Sequence, residues 1–211
     1  MLSASAIATL HDELTCAWHV DPKTSTRTLP AVRNNDDCSD PGDDWLERIA
    51  HQHRANFDLW HIEDEARTPG ATDATIADVK RRIDRTNQLR NDLAEDLDRT
   101  LVEWLALKEL PNPAAPLNSE SPGLIIDRLS ILALKIYHTR EETDRPDASE
   151  GHILRNRGRL DILEVQRGDL AGCLDALWQE TLSGTRSFKL YRQMKMYNDP
   201  SLNPSIYRNR Q

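Results

Sequence analysis

The chain has 211 residues, of which 27 are Lys or Arg and 35 are Asp or Glu, so its formal net charge is −8. This length suits one domain with a substantial core, and a hydrophobic share of 38% is too high for general disorder. We find no apolar run long enough to predict a membrane span. The N-terminus lacks a secretion-signal pattern, and the three cysteines fit no disulfide framework. We therefore expect a cytoplasmic location.

Charge is distributed unevenly along the chain. Residues 36–65 contain ten acidic and two basic residues, whereas residues 185–211 contain six basic residues, one acidic residue and three of the four tyrosines. Without that tail the chain carries −13, which would repel nucleic acid. We therefore predict no nucleic-acid binding and expect the basic, aromatic tail to dock on the protein's own body or on a partner subunit.

Apolar residues that recur every three or four positions predict four long helices, separated by Gly and Pro. The first begins at Asp44, as the N-cap, and ends before residues 68–70. The second runs from about Asp73 to Leu110 and is followed by a Pro-rich linker.

Two more long helices are predicted in the C-terminal half. One begins at Ser121 and Pro122 and is apolar on nearly every side over residues 124–137, which predicts the most buried helix. The other is predicted to be capped by Asp147 and to end near Leu182.

The complete prediction is an all-α fold, with residues 1–211 as a single helical domain. The four long helices form two αα-hairpins packed as an antiparallel bundle. An N-terminal helix is predicted over about residues 3–18 and a short C-terminal helix around Leu190 to Tyr197. Residues 20–43 are predicted to form a mobile connection, and 185–211 the docking tail.

Polar residues interrupt or border the apolar stripes of the first three long helices. Burying them without partners would cost a few kcal/mol each. They are Asn56, Trp60, Glu63, Asp64 and Arg67 in the first helix, Asp84, Asn87, Arg90 and Asn91 in the second, and Asp127, Arg128, Lys135 and His138 in the third. His53 lies in the same column of the first helix but is assigned no ligand.

Two interpretations of these residues are open. They can form a buried network that fixes the helix register, with arginines neutralising the carboxylates. Alternatively, they can line a polar pocket in which Glu63 and Asp64 are catalytic and the other eleven bind ligand. Such carboxylates suit Mg²⁺ better than Zn²⁺, so Mg²⁺ is a possible cofactor; no metal ligands are assigned, because the HExxH pattern is absent.

Four sequence blocks, in order, resemble a known family. They are Asn56-Phe-Asp-Leu-Trp-His-Ile-Glu-Asp-Glu-Ala-Arg67, residues 79–92, residues 117–138 and residues 188–200. Together they are similar to the bacterial family catalogued as domain of unknown function 4254, over about residues 45–204. The resemblance implies a cytoplasmic, all-helical bacterial protein of unnamed function, with an association with cell-surface polysaccharide glycosyltransferases. The family's motif residues include the polar residues named above.

Two functional hypotheses follow. In the first, a cleft between the first three long helices binds or processes a phosphorylated or sugar-nucleotide-like small molecule, with Arg67, Arg90 and Arg128 on its anionic groups and Trp60 stacked on a sugar or base. In the second, the protein is a non-catalytic helical adaptor, a homodimer or a scaffold for a glycosyltransferase or another partner.

Overall fold

The computed structural model describes residues 3–23, 44–194, 201–202 and 204. It confirms the all-α class: these residues contain five helices and no strand, only an isolated parallel bridge between Leu117 and Ser187. The helices are α1 (Ala4–Val20), α2 (Trp45–Glu65), α3 (Asp73–Ala106), α4 (Pro122–Asp144) and α5 (Glu150–Leu182). None of these helices is both long and apolar enough to cross a membrane.

The four long helices form two antiparallel hairpins, as predicted. In the first hairpin, Arg48 near the start of α2 pairs with Asp96 late in α3, and Glu65 at the end of α2 pairs with Arg82 early in α3. In the second hairpin, Glu142 near the end of α4 pairs with His152 near the start of α5. These are the two helix pairs with the most extensive packing.

Helix α4 lies at the centre of the bundle and packs against all four other helices. Its nearly all-apolar sequence accounts for this position, because such a helix can bury side chains on several faces. The core around it contains fully buried residues from several helices, including Trp18, Leu101, Ile126, Leu129 and Trp178. Helix α1 belongs to neither hairpin and packs across α2, α4 and α5.

A buried carboxylate fixes the start of α4 against α3. Asp98 accepts hydrogen bonds from the Ser121 hydroxyl and, at 2.7 Å, from the Gly123 amide. A Cβ at Gly123 would lie 2.4 Å from the Ala94 carbonyl oxygen, so the two helices approach closely only because this residue is glycine. Burial raises the pKa of Asp98 to about 6, and the two hydrogen bonds partly oppose that rise.

Three local predictions differ from the structure. Ser149, not Asp147, caps α5, because its hydroxyl accepts from the His152 amide. Helix α3 ends at Ala106, four residues before Leu110. Residues 190–194 are not helical. The chain leaving α5 instead forms backbone hydrogen bonds from Ser187 to Pro116 and from Asn118 to Ser187, and the Gln193 amide donates to the Glu95 side chain.

The start of the basic tail packs on the bundle. Phe188 is only 2% exposed and belongs to the hydrophobic core, and the Gln193 amide donates to Glu95 on α3 at 2.7 Å. Tyr197 and almost all of the tail beyond Met194 lie outside the described residues, as do residues 24–43 of the connection predicted over 20–43. Val20, the first residue of that predicted connection, is the last residue of α1. Docking of the complete tail stays a prediction.

Candidate functional site

A cleft between α2, α3 and α4 brings together six of the residues predicted from sequence. Its volume is about 430 Å³. Four of the six lie on successive turns of α2, because positions three and four apart share one helix face, and Arg67 lies in the turn that directly follows the helix. The polar lining residues are Asn56, Trp60, Glu63, Asp64, Arg67 and Arg90. Leu59, Ile131 and Leu134 supply the apolar part of the wall.

The mouth of the cleft carries both signs of charge. Arg67 donates to the Glu63 carbonyl at 2.6 Å and to the Glu63 carboxylate at 3.1 Å, and its side chain is 67% exposed. Asp64, one residue further along α2, is also exposed. An exposed ion pair of this kind contributes little to stability, so these groups are available to a ligand at small energetic cost.

Behind the cleft, the Asp127 carboxylate is almost fully buried and accepts three hydrogen bonds. Gln52 and Asn56 donate to one of its oxygens at 2.6 and 2.9 Å, and Arg90 donates to the other at 3.0 Å. The charge of Asp127 is therefore neutralised by Arg90 and stabilised by two amides. Arg90 keeps a buried Nε atom that has no partner among the described residues.

A chain of hydrogen bonds continues from this carboxylate into α1. Asn56 donates to Ser130 at 2.9 Å, the Ser130 hydroxyl lies 2.7 Å from His53 Nδ1, and His53 Nε2 lies 2.9 Å from the Thr15 hydroxyl. Because the Thr15 hydroxyl donates its only proton to the His11 carbonyl, His53 must donate to Thr15 through Nε2. Burial lowers the pKa of His53 to about 3, so the ring is neutral and its Nδ1 accepts from Ser130.

The structure divides the polar residues into two groups that overlap. Asp127, Asn56 and Arg90 belong to a buried network that joins α1, α2, α3 and α4, whereas Trp60, Glu63, Asp64 and Arg67 line the cleft without joining that network; Asn56 and Arg90 belong to both groups. The ligand-binding roles stay a prediction. The sequence interpretation missed three members of this network, namely Thr15, Gln52 and Ser130. Two of them had a signal, since Gln52 is one turn before Asn56 and Ser130 is one turn after Asp127.

Two predicted residues lie in a different cavity. Arg128 and Lys135 line a groove of about 620 Å³ between α4 and α5, where Arg128 pairs with Glu120 at 2.7 Å. Asp127 and Arg128 are neighbours on a helix and therefore project about 100° apart, so the two cannot face the same partner helices. Arg128 does not join Arg67 and Arg90.

Three predicted residues of α3 do not line the cleft. Asp84 pairs with Lys80 on the same helix. Asn87 is partly exposed and forms an interaction of its own. Asn91 is buried, and its amide nitrogen has no partner among the described residues.

The last predicted residue, His138, joins the cleft through Trp60. The two rings stack with centroids 4.7 Å apart and planes inclined by 7°. Both also line a neighbouring cavity of about 440 Å³ that reaches α5. His138 belongs, in addition, to a cluster with His19 and His61, the one group of three histidine, cysteine or acidic ligands that converges within the described parts of the chain.

Comparison with protein families identifies the chain. The sequence profile of one family matches residues 46–190. The chain belongs to the family described as protein of unknown function DUF4254. This confirms the resemblance found in the sequence. The comparisons with curated proteins and with solved structures give no match.

The DUF4254 match covers both hairpins but not α1. It includes the whole cleft, the Asp127 carboxylate and two members of the histidine cluster, His61 and His138. Thr15 and His19, which α1 contributes to the buried network and to the histidine cluster, lie outside the matched residues. In this chain, α1 thus completes two polar assemblies of the DUF4254 region.

Proposed function

We propose that the cleft between α2, α3 and α4 binds a small phosphorylated, hydroxyl-rich molecule such as a sugar nucleotide. The proposal rests on one observation: an aromatic ring, two arginines and two carboxylates line the same cavity of about 430 Å³. Aromatic rings stack on sugars and bases, while arginine binds phosphate through paired hydrogen bonds.

The partners of the two arginines support this assignment. Among the described residues, the side chain of Arg67 bonds only to Glu63, four positions earlier, so it can exchange that carboxylate for a phosphate. Arg90 uses one terminal nitrogen for Asp127 and retains an Nε atom without a partner in the described parts of the chain. Leaving a buried donor unpaired costs about 1–3 kcal/mol, which a hydrogen-bond acceptor on the ligand would recover.

The carboxylates supply the remaining chemistry. Glu63 and Asp64 would accept hydrogen bonds from sugar hydroxyl groups and, if the protein is an enzyme, transfer protons. They would also hold Mg²⁺ between themselves and a diphosphate, which is how Mg²⁺ is usually bound. A bacterial, cytoplasmic role in cell-surface polysaccharide synthesis stays a prediction from the family resemblance.

Thermal unfolding in the presence of nucleotides and sugar nucleotides, with and without Mg²⁺, tests the proposal. A ligand at 100 times its Kd should add about 2.7 kcal/mol to the free energy of unfolding. Arg67→Ala and Trp60→Ala should abolish that gain. Arg128→Ala is the matched control, because Arg128 is an exposed arginine outside the cleft. No stabilisation by any compound, or equal loss in the control, would contradict the proposal.

A second candidate function is the adaptor, which exposed apolar residues on α5 favour. Leu154, Ile162 and Val165 are 71%, 59% and 63% exposed and lie within an arc of about 80° on the helix. Such a stripe is typical of a contact surface for a second copy or another protein. Light scattering of the wild type and Ile162→Glu tests this: a dimer that the substitution dissociates supports the adaptor, and a monomer in both removes the homodimer.

A further inference from the structure

Three histidines from three helices meet at one point of the bundle. His19 lies in the last turn of α1, His61 in the last part of α2 and His138 in α4. Each offers a ring nitrogen, and these nitrogens all lie within 4.8 Å of one another. The rings are partly buried, with centroids between 5.1 and 5.7 Å apart.

The hydrogen bonds of the rings show which nitrogen is free. His19 Nδ1 lies 2.7 Å from the Thr15 carbonyl oxygen, and His138 Nδ1 lies 2.7 Å from the Glu141 carboxylate. Both partners are acceptors, so Nδ1 carries a proton in each ring, and Nε2 is the nitrogen that has the lone pair when the ring is neutral. The Nε2 atoms of His19, His61 and His138 are all buried and have no partner among the described residues.

The partners of His19 and His138 are those of metal-binding rings. A carbonyl or carboxylate behind a histidine is the usual arrangement in metal sites, where it fixes the tautomer and makes the ring more basic. Burial, followed by the proximity of His19 and His138, lowers the pKa of His61. The three buried Nε2 atoms lack any hydrogen-bond partner among the described residues, and a cation would satisfy all three at once.

We propose that His19, His61 and His138 bind a zinc ion through their Nε2 atoms. Three atoms no more than 4.8 Å apart lie within about 2.8 Å of a common point, and zinc binds histidine nitrogens at about 2.0–2.1 Å. Each ring therefore has to move by less than ~1 Å to reach the ion. Imidazole ligands suit Zn²⁺, whereas Mg²⁺ requires oxygen ligands.

The site has the form of a zinc centre with an open position. Three protein nitrogens leave the fourth position of a tetrahedral ion for water or a substrate. His19 and His61 line a cavity of about 540 Å³, and His138 lines the cavity that it shares with Trp60. The ion would thus be accessible from both cavities, and this inference does not depend on a ligand in the Trp60 cleft.

Calorimetric titration of the chelator-treated full chain with Zn²⁺ alone tests the proposal. We expect one ion per chain. His19→Ala, His61→Ala and His138→Ala should each weaken binding by more than ~100-fold, since even residues behind the ligands contribute 10–100-fold. Glu141→Gln should weaken it by about 10-fold. His51→Ala is the matched control, because His51 is an exposed histidine on the same helix as His61.

Two measurements keep the result interpretable. Circular dichroism of each zinc-free variant establishes that it is folded, and the visible spectrum of the Co²⁺ form reports whether the ion is four-coordinate. Absence of binding by the folded wild type at high micromolar Zn²⁺ would overturn the proposal, and so would affinity that the three folded variants retain. Because no nucleotide is present, these outcomes are independent of the cleft.

Discussion

His53 lies close to the cluster of His19, His61 and His138 and is separated from it by Trp18 and Phe57. The two environments differ in whether the ring nitrogens have hydrogen-bond partners. Trp18 contacts the His53 ring, and Phe57 contacts the rings of His19 and His61. Both nitrogens of His53 have hydrogen-bond partners on neighbouring helices. In the cluster, the Nε2 atoms converge without partners among the described residues.

This difference separates a structural assembly from a binding site. A polar group that is buried and paired fixes helix register, and a ligand has nothing to add to it. Several unpaired atoms that converge on one point are stabilised only by something that binds there. An unpaired atom alone is insufficient. Within the described parts of the chain, both ring nitrogens of His11 lack a partner, but its ring stacks on His53 and no group of metal ligands converges there.

The largest effect on the free energy of unfolding should come from removing the Asp127 carboxylate from the buried network. Asp127→Ala leaves Arg90 and two amides without their acceptor in the interior, which costs about 3–5 kcal/mol. The free energy of unfolding from urea titration should fall by that amount. A loss below about 1 kcal/mol would show that water replaces the carboxylate and that the network is not structural.

Lowering the pH should reduce the free energy of unfolding through protonation of His53. Its pKa is about 3 in the folded protein and 6.5 in the unfolded chain, so the unfolded chain binds more protons between these values. The His53 contribution is complete above pH 6.5 and is lost as the pH falls, by about 3 kcal/mol at pH 4. Urea titrations at pH 4 and 7 should show a smaller loss for His53→Gln than for the wild type, and equal losses would refute the assignment.

Asp98 should make the free energy of unfolding depend on pH in the opposite direction, over nearly the same pH range. Its pKa is about 6 in the folded protein and 3.8 unfolded, so the folded protein binds more protons and its stability falls as the pH rises from 4 to 6. The free energy of unfolding should fall by about 2 kcal/mol between pH 4 and pH 6 for this reason. Asp98→Asn keeps the carbonyl that accepts from Gly123 and should remove this cost. If both proteins lose stability equally over this range, Asp98 is not the group responsible.

The smallest effect should come from the cleft itself. Arg67→Ala removes an exposed ion pair with Glu63 and should change the free energy of unfolding by less than ~0.5 kcal/mol. The measurement is the same urea titration used for Asp127→Ala. A loss as large as that of the buried carboxylate would show that Arg67 is structural and would remove it from the proposed ligand site.

The fold could be predicted from sequence because its signals are local. Apolar spacing and the Gly and Pro residues between segments place α2 to α5 to within a few residues. The alignment of Asn56, Trp60, Glu63 and Asp64 on α2 was predictable for the same reason, since residues on successive turns of one helix share a direction. Four of the six polar cleft residues come from that single face, and Arg67 lies in the turn directly after it.

The contacts between different helices depend on how each helix is rotated and positioned in the bundle, which local spacing does not determine. Asp127 and Arg128 are adjacent in sequence, and only the packing of α4 decides which one meets Arg90 and which one meets Glu120. His19 lies on α1, whose position across α2 and α4 no periodicity determines. Its convergence with His61 and His138 therefore becomes visible only in the structure.

One measurement tests the contrast between the two histidine environments most directly: long-range ¹H–¹⁵N spectra of the imidazole rings, recorded on zinc-free and Zn²⁺-loaded protein. The account predicts a neutral His53 with its proton on Nε2, unchanged by zinc. It predicts that His19 and His138 carry the proton on Nδ1, and that the Nε2 signals of His19, His61 and His138 shift together on zinc addition. A zinc-dependent shift at His53, or none at the three clustered rings, would contradict it.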